Sequence, residues 1–422
     1  MLLAGVVALL VLLLRGGEDH GARRAKGGEP LAYLPAGSGD VVFDVDTRAP
    51  IVGLALEQLA PRLTHGALGA HQVTPLLGGR AVVATTGDRT LMVFATDAAP
   101  PRPRNGAAAG KRDGVVVVAQ SPAELRAAFA AAAEPASRYA RERFDRRFAG
   151  LPGNASVRVA FDPRKLVAAR APQLSGTRWV GSLRDGAAVI ATKGAQLRMP
   201  FRVTAEPVGL NADDLPVAAG PQPPAARGNA AIVIGLRDPA RTLAFARDAG
   251  LLPALGVIDQ LPGFLKPNLG DLGPNGTVTT PSLDLEHLTL RAEPSDPGDW
   301  ASKLGRLDAL SGLAKRAGID IDIDHRDGVY DVSEDNRLLA RAGVFGRALT
   351  LSNDPGRDLG AAAAAPPTPA PPGAAGGLTV RARAAALLGD LPALISARLG
   401  DITGWARVEL TGVTGELDLA VR

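Results

Sequence analysis

An α+β fold built mainly from antiparallel sheet is what this sequence predicts, on three observations. Apolar and polar residues alternate over short segments, as where Val41, Phe43 and Val45 oppose Asp44 and Asp46. Asp-Pro or Ser-Pro pairs follow such segments and open Ala/Leu-rich stretches. Short turn signals such as Gly87-Asp88 separate neighbouring apolar runs.

From the N-terminus, Met1–Leu14 carries no charged side chain and ends at Arg15. As a helix it would reach about 21 Å, short of the roughly 30 Å of a bilayer core. No basic flank precedes it, and no small-x-small cleavage site comes closely after it. An anchor whose basic flank lies upstream is the favoured expectation, and a bare signal segment is the other reading. The Gly-rich stretch Gly16–Pro30 reads as a tether, so the chain beyond Pro30 is expected outside the cytoplasm at the cell membrane.

Five strand-to-helix junctions come next: Ser121-Pro122, Asp162-Pro163, Asp238-Pro239, Asp296-Pro297 and Asp354-Pro355. An Asp or Ser at the N-cap accepts a hydrogen bond from a helix N–H that has no partner in the helix. Proline at the first helical position loses nothing, since its N–H would be unpaired there anyway. Glu124, three residues after Ser121, adds a capping box.

Further alternation, at Val157, Val159 and Phe161 and at Leu417, Leu419 and Val421, predicts sheets covered by helices on one face. Hairpins are expected at Arg80–Thr96, Ala187–Val203 and Ala406–Val421, with Pro200 marking an edge or bulged strand. Asp97–Arg112 and the low-complexity run Gly360–Gly377 read as surface loops. Pro207–Arg227 reads as a linker between halves Leu31–Glu206 and Gly228–Arg422. Each half orders its strands and junctions alike and closes with Trp179 or Trp405 before a hairpin, which predicts an internal duplication.

The tether followed by Leu31-Ala32-Tyr33-Leu34-Pro35-Ala36 and an alternating strand resembles a family of exported, membrane-anchored actinobacterial proteins defined as a domain of unknown function. The resemblance implies an N-terminal hydrophobic segment and an extracytoplasmic α+β region, and brings no catalytic residues.

Composition narrows the chemistry. With no cysteine, disulfides, thiolate catalysis, Cys-ligated metals and a lipid-modified Cys are excluded. A net charge of +4 over 422 residues does not predict a nucleic-acid partner. No nucleophile elbow, His-Glu-x-x-His or dinucleotide turn is present. Gly106–Lys111 is one residue short of a phosphate loop, and Arg112 stands where Ser or Thr would be needed.

Asp320, Asp322, Asp324 and Asp331 have calcium-loop spacing, but His325 occupies the position that needs glycine. Their alternation with Ile321 and Ile323 reads instead as a strand with one solvated face. The histidines, His20, His65, His71, His287 and His325, show no metal-ligand spacing. Ser137–Ala149 reads as a short helix with Arg138, Arg141, Arg143, Arg146 and Arg147. Pairs four apart, Arg141 with Asp145 and Glu142 with Arg146, would stabilise it on the surface. The arginines are candidates for contact with anionic lipid headgroups or an anionic polymer.

The expected function is therefore a non-enzymatic binding or scaffold module of the cell envelope, with no cofactor or metal. Its expected partners are the membrane and envelope proteins, lipid or anionic polymer. A carrier or sensor of an apolar ligand is the alternative, and a hydrolase the minor one.

Overall fold

Four consecutive valines, Val115–Val118, lie in a strand buried along its whole length, which requires cover on both faces of its sheet. The computed structural model describes residues 28–193, 196–250, 271–282, 287–307, 321–384, 386 and 399–421. The hydrophobic segment, most of the tether, His20 and Asp320 lie outside the described residues.

In the first half the strands are β1 (Val41–Asp46), β2 (Arg80–Thr86), β3 (Arg89–Ala95), β4 (Ala108–Arg112), β5 (Val115–Ala119), β6 (Val157–Phe161), β7 (Leu183–Lys193) and β8 (Gln196–Ala205). The linker holds β9 (Ala226–Arg227), and the second half adds β10 (Ile232–Arg237), β11 (Asn275–Thr280), β12 (Thr289–Ala292), β13 (Ile321–Arg326) and β14 (Val329–Glu334). It continues with β15 (Arg337–Phe345), β16 (Ala348–Ser352), β17 (Pro367–Thr368), β18 (Leu378–Arg383), β19 (Leu399–Glu409) and β20 (Gly412–Val421).

All but β9 and β17, which pair with each other, join one 18-stranded sheet whose pairings are all antiparallel. Outward from its middle, the first half runs β8-β7-β6-β1-β2-β3-β5-β4. The second runs β20-β19-β18-β10-β11-β12-β16-β15, then adds the hairpin β14-β13. β8 and β20 join the halves edge to edge, from Gly412↔Thr204 to Ala420↔Gln196.

Helices cover both faces of the first half, not one. On one face, α1 (Pro50–Leu63) sets Val52 and Leu59 against Val41, Val45, Val157 and Val159. With α2 (Ala70–Val73) it also covers Val83, Met92, Phe94 and Val116. On the other face, α3 (Pro122–Ala133) and α4 (Arg141–Arg147) set Ala128 and Phe144 against Val42, Val82, Val93 and Val117. The Leu31–Leu34 stretch packs in this second layer, where the Tyr33 hydroxyl donates to the Arg112 carbonyl at 3.0 Å.

Four of the five predicted junctions are N-caps. Ser121 accepts from the Glu124 N–H at 3.2 Å, while Glu124 reaches back to the Gln120 N–H at 3.1 Å. Asp162 caps α5 (Pro163–Arg170) by accepting from the Arg164 N–H at 3.0 Å, after which α6 (Arg178–Ser182) leads into β7. Asp238 caps α7 (Pro239–Asp248) through the Arg241 N–H at 3.2 Å, and Asp296 caps α8 (Pro297–Gly305) through the Asp299 N–H at 2.9 Å. The fifth differs. Asp354 holds a turn through the Gly356 N–H, and α9 (Leu359–Ala363) is capped four residues later by Asp358.

Asp162→Ala is expected to cost about 0.5–2 kcal/mol in denaturant unfolding, and Asp162→Ser much less. Asp238 has φ 55, so there Asn should be the best replacement, because it caps and tolerates the left-handed region. Equal losses for Ala and Ser at Asp162 would defeat the capping account.

Other segments are more ordered than their composition suggests. Asp97–Arg112 contains β4, a sheet edge, and Gly360–Gly377 contains most of α9 and all of β17. The linker packs Leu215 and Val217 against Leu236 and Val408, and its Arg227 N–H donates to Thr277 Oγ1 at 2.9 Å. Pro200 lies in β8, between β7 and β20, rather than at an edge. It pairs with Glu416 in β20, while the β7 pairing passes from Ala188↔Phe201 to Ala191↔Arg198 around it. The terminal hairpin begins at Leu399, so Trp405 lies inside β19 and is not the counterpart of Trp179, which sits in α6.

Candidate functional site

The alternation in β1 puts Asp44 on the face opposite Val41, Phe43 and Val45. That face is not open to solvent here. Helix α4 lies over it, and Asp44 is only 4% exposed. A buried carboxylate needs compensating charge, and Arg80 supplies it with two hydrogen bonds, one of them 3.1 Å from Nε to Oδ1. Arg158 stands 3.9 Å from the same carboxylate. Burial nevertheless pushes the Asp44 carboxyl above its usual range, against the pull of Arg80, Arg141 and Arg158.

The network extends into the helix. Arg158 donates to Asp145 at 2.8 Å, and Arg141 donates to Asp145 at 2.7 Å and to Glu29 at 2.9 Å. Burial raises Asp145, but the hydrogen bonds from Arg141 and Arg158 prevail and hold its carboxyl below the ordinary range. The Arg158 guanidinium also covers two rings, 4.2 Å from the centre of Phe148 and 5.0 Å from that of Phe144. Such contacts add about 0.5–2 kcal/mol each.

The predicted helix is shorter than Ser137–Ala149, since the chain turns at Pro135–Ser137 and α4 begins at Arg141. Its five candidate arginines divide into two groups. Arg141 and Arg147 are committed to carboxylates, Arg141 to Glu29 and Asp145 and Arg147 to Asp185 at 2.5 Å. Arg138, Arg143 and Arg146 are exposed, with no ion pair among the described residues. The Arg141–Asp145 pair forms as its spacing predicts, whereas Glu142 and Arg146 do not pair.

The acidic run is a hairpin, not a loop. β13 carries Asp322 and Asp324 on its exposed face, Asp327-Gly328 makes the turn with φ 51 and 77, and Asp331 lies across the ladder from Asp324. Asp324 is paired with Arg326 at 2.7 Å and Asp331 with Arg341 at 2.8 Å. Gly106–Lys111 runs from a turn into β4, so its backbone is extended where a phosphate loop would curl.

The histidines are dispersed. His65 Nε2 lies 2.9 Å from the Asp88 carbonyl, and His71 is exposed on α2. His287 lies 3.6 Å from Asp354, and His325 stacks on Tyr330 at 4.0 Å. Among the described residues, no group of three or more His, Asp or Glu is placed to hold a metal.

One charged cluster had no sequence signal. At the join of the halves, Arg198 of β8 donates to Glu416 at 2.7 Å and stands 3.5 Å from Asp418, both on β20. Burial, then the charge of Glu416, raise the Asp418 carboxyl. Arg198 and Glu416 are 218 positions apart, and only the pairing of β8 with β20 brings them together.

No family model and no curated protein matches the chain. Among solved structures, crystal forms III and I of TP0453 each align over 44% of this chain and 82% of that one, at 11% identity and a TM-score of 0.29. At that score the likeness carries no argument about fold or function.

Proposed function

We propose that this chain is a membrane-anchored, extracytoplasmic module of the cell envelope with a binding or scaffold role, not a catalytic one. In this reading it contacts an anionic surface through Arg138, Arg143 and Arg146. The observation that carries the reading is the division of the arginines around α4. Arg141 and Arg147 are neutralised by Glu29, Asp145 and Asp185, while the three outward ones have no carboxylate partner among the described residues. Phe144 and Phe148, packed on the sheet, fix the helix that presents Arg143 and Arg146, and Arg138 lies just before it. Arginine suits this role because its planar fork matches phosphate oxygens. The location rests on the uncharged Met1–Leu14 segment and on the resemblance carried by Leu31–Ala36.

The module is further read as an internal duplication. What supports this is that both halves place their strands in one order, once β13 and β14 are set aside. Helices recur at matching points as well: α1 and α7 follow β1 and β10, and α3 and α9 follow β5 and β16.

A reporter active only outside the cytoplasm, fused to Arg422, should be active, and an inactive one would overturn the location. Vesicles rich in anionic lipid, and a soluble polyphosphate, should bind the protein more tightly at low salt than neutral vesicles do. Replacing Arg138, Arg143 and Arg146 by Gln together should remove about 3 kcal/mol of vesicle binding, roughly 100-fold, at about 1 kcal/mol per cation. Unchanged binding to both probes would remove α4 as the contact surface.

A further inference from the structure

The chain enters the fold beside the outward arginines. The Gly28 N–H donates to the Asp113 carbonyl at 3.2 Å, and the Glu29 carboxylate accepts from Arg141 of α4 at 2.9 Å. From there the backbone runs along the approach to α4. The Ala36 N–H donates to the Ser137 carbonyl and the Tyr139 N–H to the Leu34 carbonyl, each at 2.7 Å, and Pro35 is bridged to Arg138. Leu31 and Leu34 are buried in the layer that α4 shares, which fixes this entry point to the sheet.

Length limits which face of the protein stays near an anchor. Between the uncharged Met1–Leu14 segment and Gly28 stand the 13 residues Arg15–Gly27. A Gly-rich linker of that length spans about 20 Å, whereas a folded half of this size is about 40 Å across. The side at which the chain enters is therefore held toward the membrane. The opposite side reaches it only when the linker is stretched to nearly its limit of about 45 Å.

The charge on that side suits an anionic bilayer. By sequence, Arg23, Arg24 and Lys26 lie just before the entry point, with Glu18 and Asp19 nearer the hydrophobic segment. Arg138, Arg143 and Arg146 are exposed beside it, against the exposed carboxylates Glu134 and Glu142. Positive charge is in excess.

On the anchored, anion-contacting reading above, we infer that Arg138, Arg143 and Arg146 engage the phosphates of anionic lipid in the same bilayer that anchors the chain, so that the first half lies on its own membrane with α4 against it. Each exposed cation strengthens such binding about fivefold, so three give a dissociation constant of roughly millimolar order. A ligand arriving from solution has only that affinity to draw on. A short tether supplies an effective concentration that is itself about millimolar, which is enough to occupy a weak site in cis.

The chain has no cysteine, so one introduced at the exposed Ala149, just past α4, carries a dye alone. One at Glu334 on β14 marks the far arm of the sheet. The full chain is inserted at low salt in nanodiscs with acceptor-labelled headgroups, either rich in phosphatidylglycerol or made of phosphatidylcholine. Energy transfer from Ala149→Cys should be high in the anionic discs and fall to the neutral-disc level in high salt, while that from Glu334→Cys stays low in both. Arg138→Gln, Arg143→Gln and Arg146→Gln together should bring it to the neutral-disc level with an unchanged circular dichroism spectrum. Tripling the tether with Gly/Ser residues after Gly27 should lower the docked-to-free ratio about fivefold. Equal transfer from Ala149→Cys in the two kinds of disc overturns the inference, and continued binding of polyphosphate by the same chain would leave the anionic-surface reading standing. A docked ratio indifferent to tether length overturns it too. So does loss of transfer at micromolar polyphosphate, which makes the polymer the occupant. A chain that does not enter the discs removes the anchored reading, and docking in cis with it.

Discussion

Gly412→Ala should be among the most damaging single substitutions in this protein, because Gly412 sits where the halves join. It opens β20 between Glu409 of β19 and Thr204 of β8, with φ 139. A Cβ there would stand 2.0 Å from the Val203 carbonyl oxygen and 3.0 Å from Thr204 Cα. Both are backbone atoms, so no side chain can swing aside. Either the residue abandons its conformation or β8 and β20 separate at this end. Backbone strain of about 1–3 kcal/mol adds to overpacking of about 1–3 kcal/mol, for a loss on the order of 2–6 kcal/mol. Gly37 is the control, since its φ is 80 but nothing lies within 4 Å of its added Cβ. Gly37→Ala should show the strain alone. Equal shifts in denaturant midpoint for the two variants would mean that the approach of β8 to Gly412 is not what limits the site.

How much of this was legible in the sequence varies with the range of the forces involved. The junctions at Ser121, Asp162, Asp238 and Asp296 were readable because capping is settled within four residues. Asp354 misled because Asp-Pro also opens ordinary turns, and the true cap, Asp358, has no proline after it. Period-two alternation placed Asp44 on the correct face of β1, but alternation does not say what covers a face. The four valines at Val115–Val118 did carry that information, since a strand that is apolar on both sides must be covered on both.

The candidate arginines were found by composition and spacing. Their division into paired and outward sets required the position of Glu29, more than a hundred residues before Arg141, and of Asp185. The Arg198–Glu416–Asp418 cluster was invisible for the same reason, since it is created by a strand pairing between segments far apart in the chain.

Phe144→Ala is expected to do comparable damage on the other face of the sheet and to show how the outward arginines are held. Phe144 is fully buried, its ring centre 4.9 Å from that of Phe148, with the Arg158 guanidinium 5.0 Å away. Truncation removes the ring from the second layer and leaves a cavity, at a cost of about 3–5 kcal/mol. Loss of the cation–π contact adds about 0.5–2 kcal/mol, because Arg158 is largely covered. Arg158 also holds Asp145, which Arg141 shares, so the helix should detach as its network comes apart. Phe144→Leu keeps much of the apolar volume and should cost about 1–2 kcal/mol while leaving α4 in place. A double-mutant cycle with Arg158→Gln measures the link between ring and guanidinium, and a coupling of about 0.5–2 kcal/mol is expected. Strict additivity would mean that Phe144 anchors α4 by packing alone. Binding to anionic vesicles gives a second measurement on the same variants. Phe144→Leu should bind as the wild type does, whereas Phe144→Ala should bind more weakly although every arginine remains. That difference would arise only if the docked helix, and not the local density of positive charge, holds Arg143 and Arg146 in place beside Arg138.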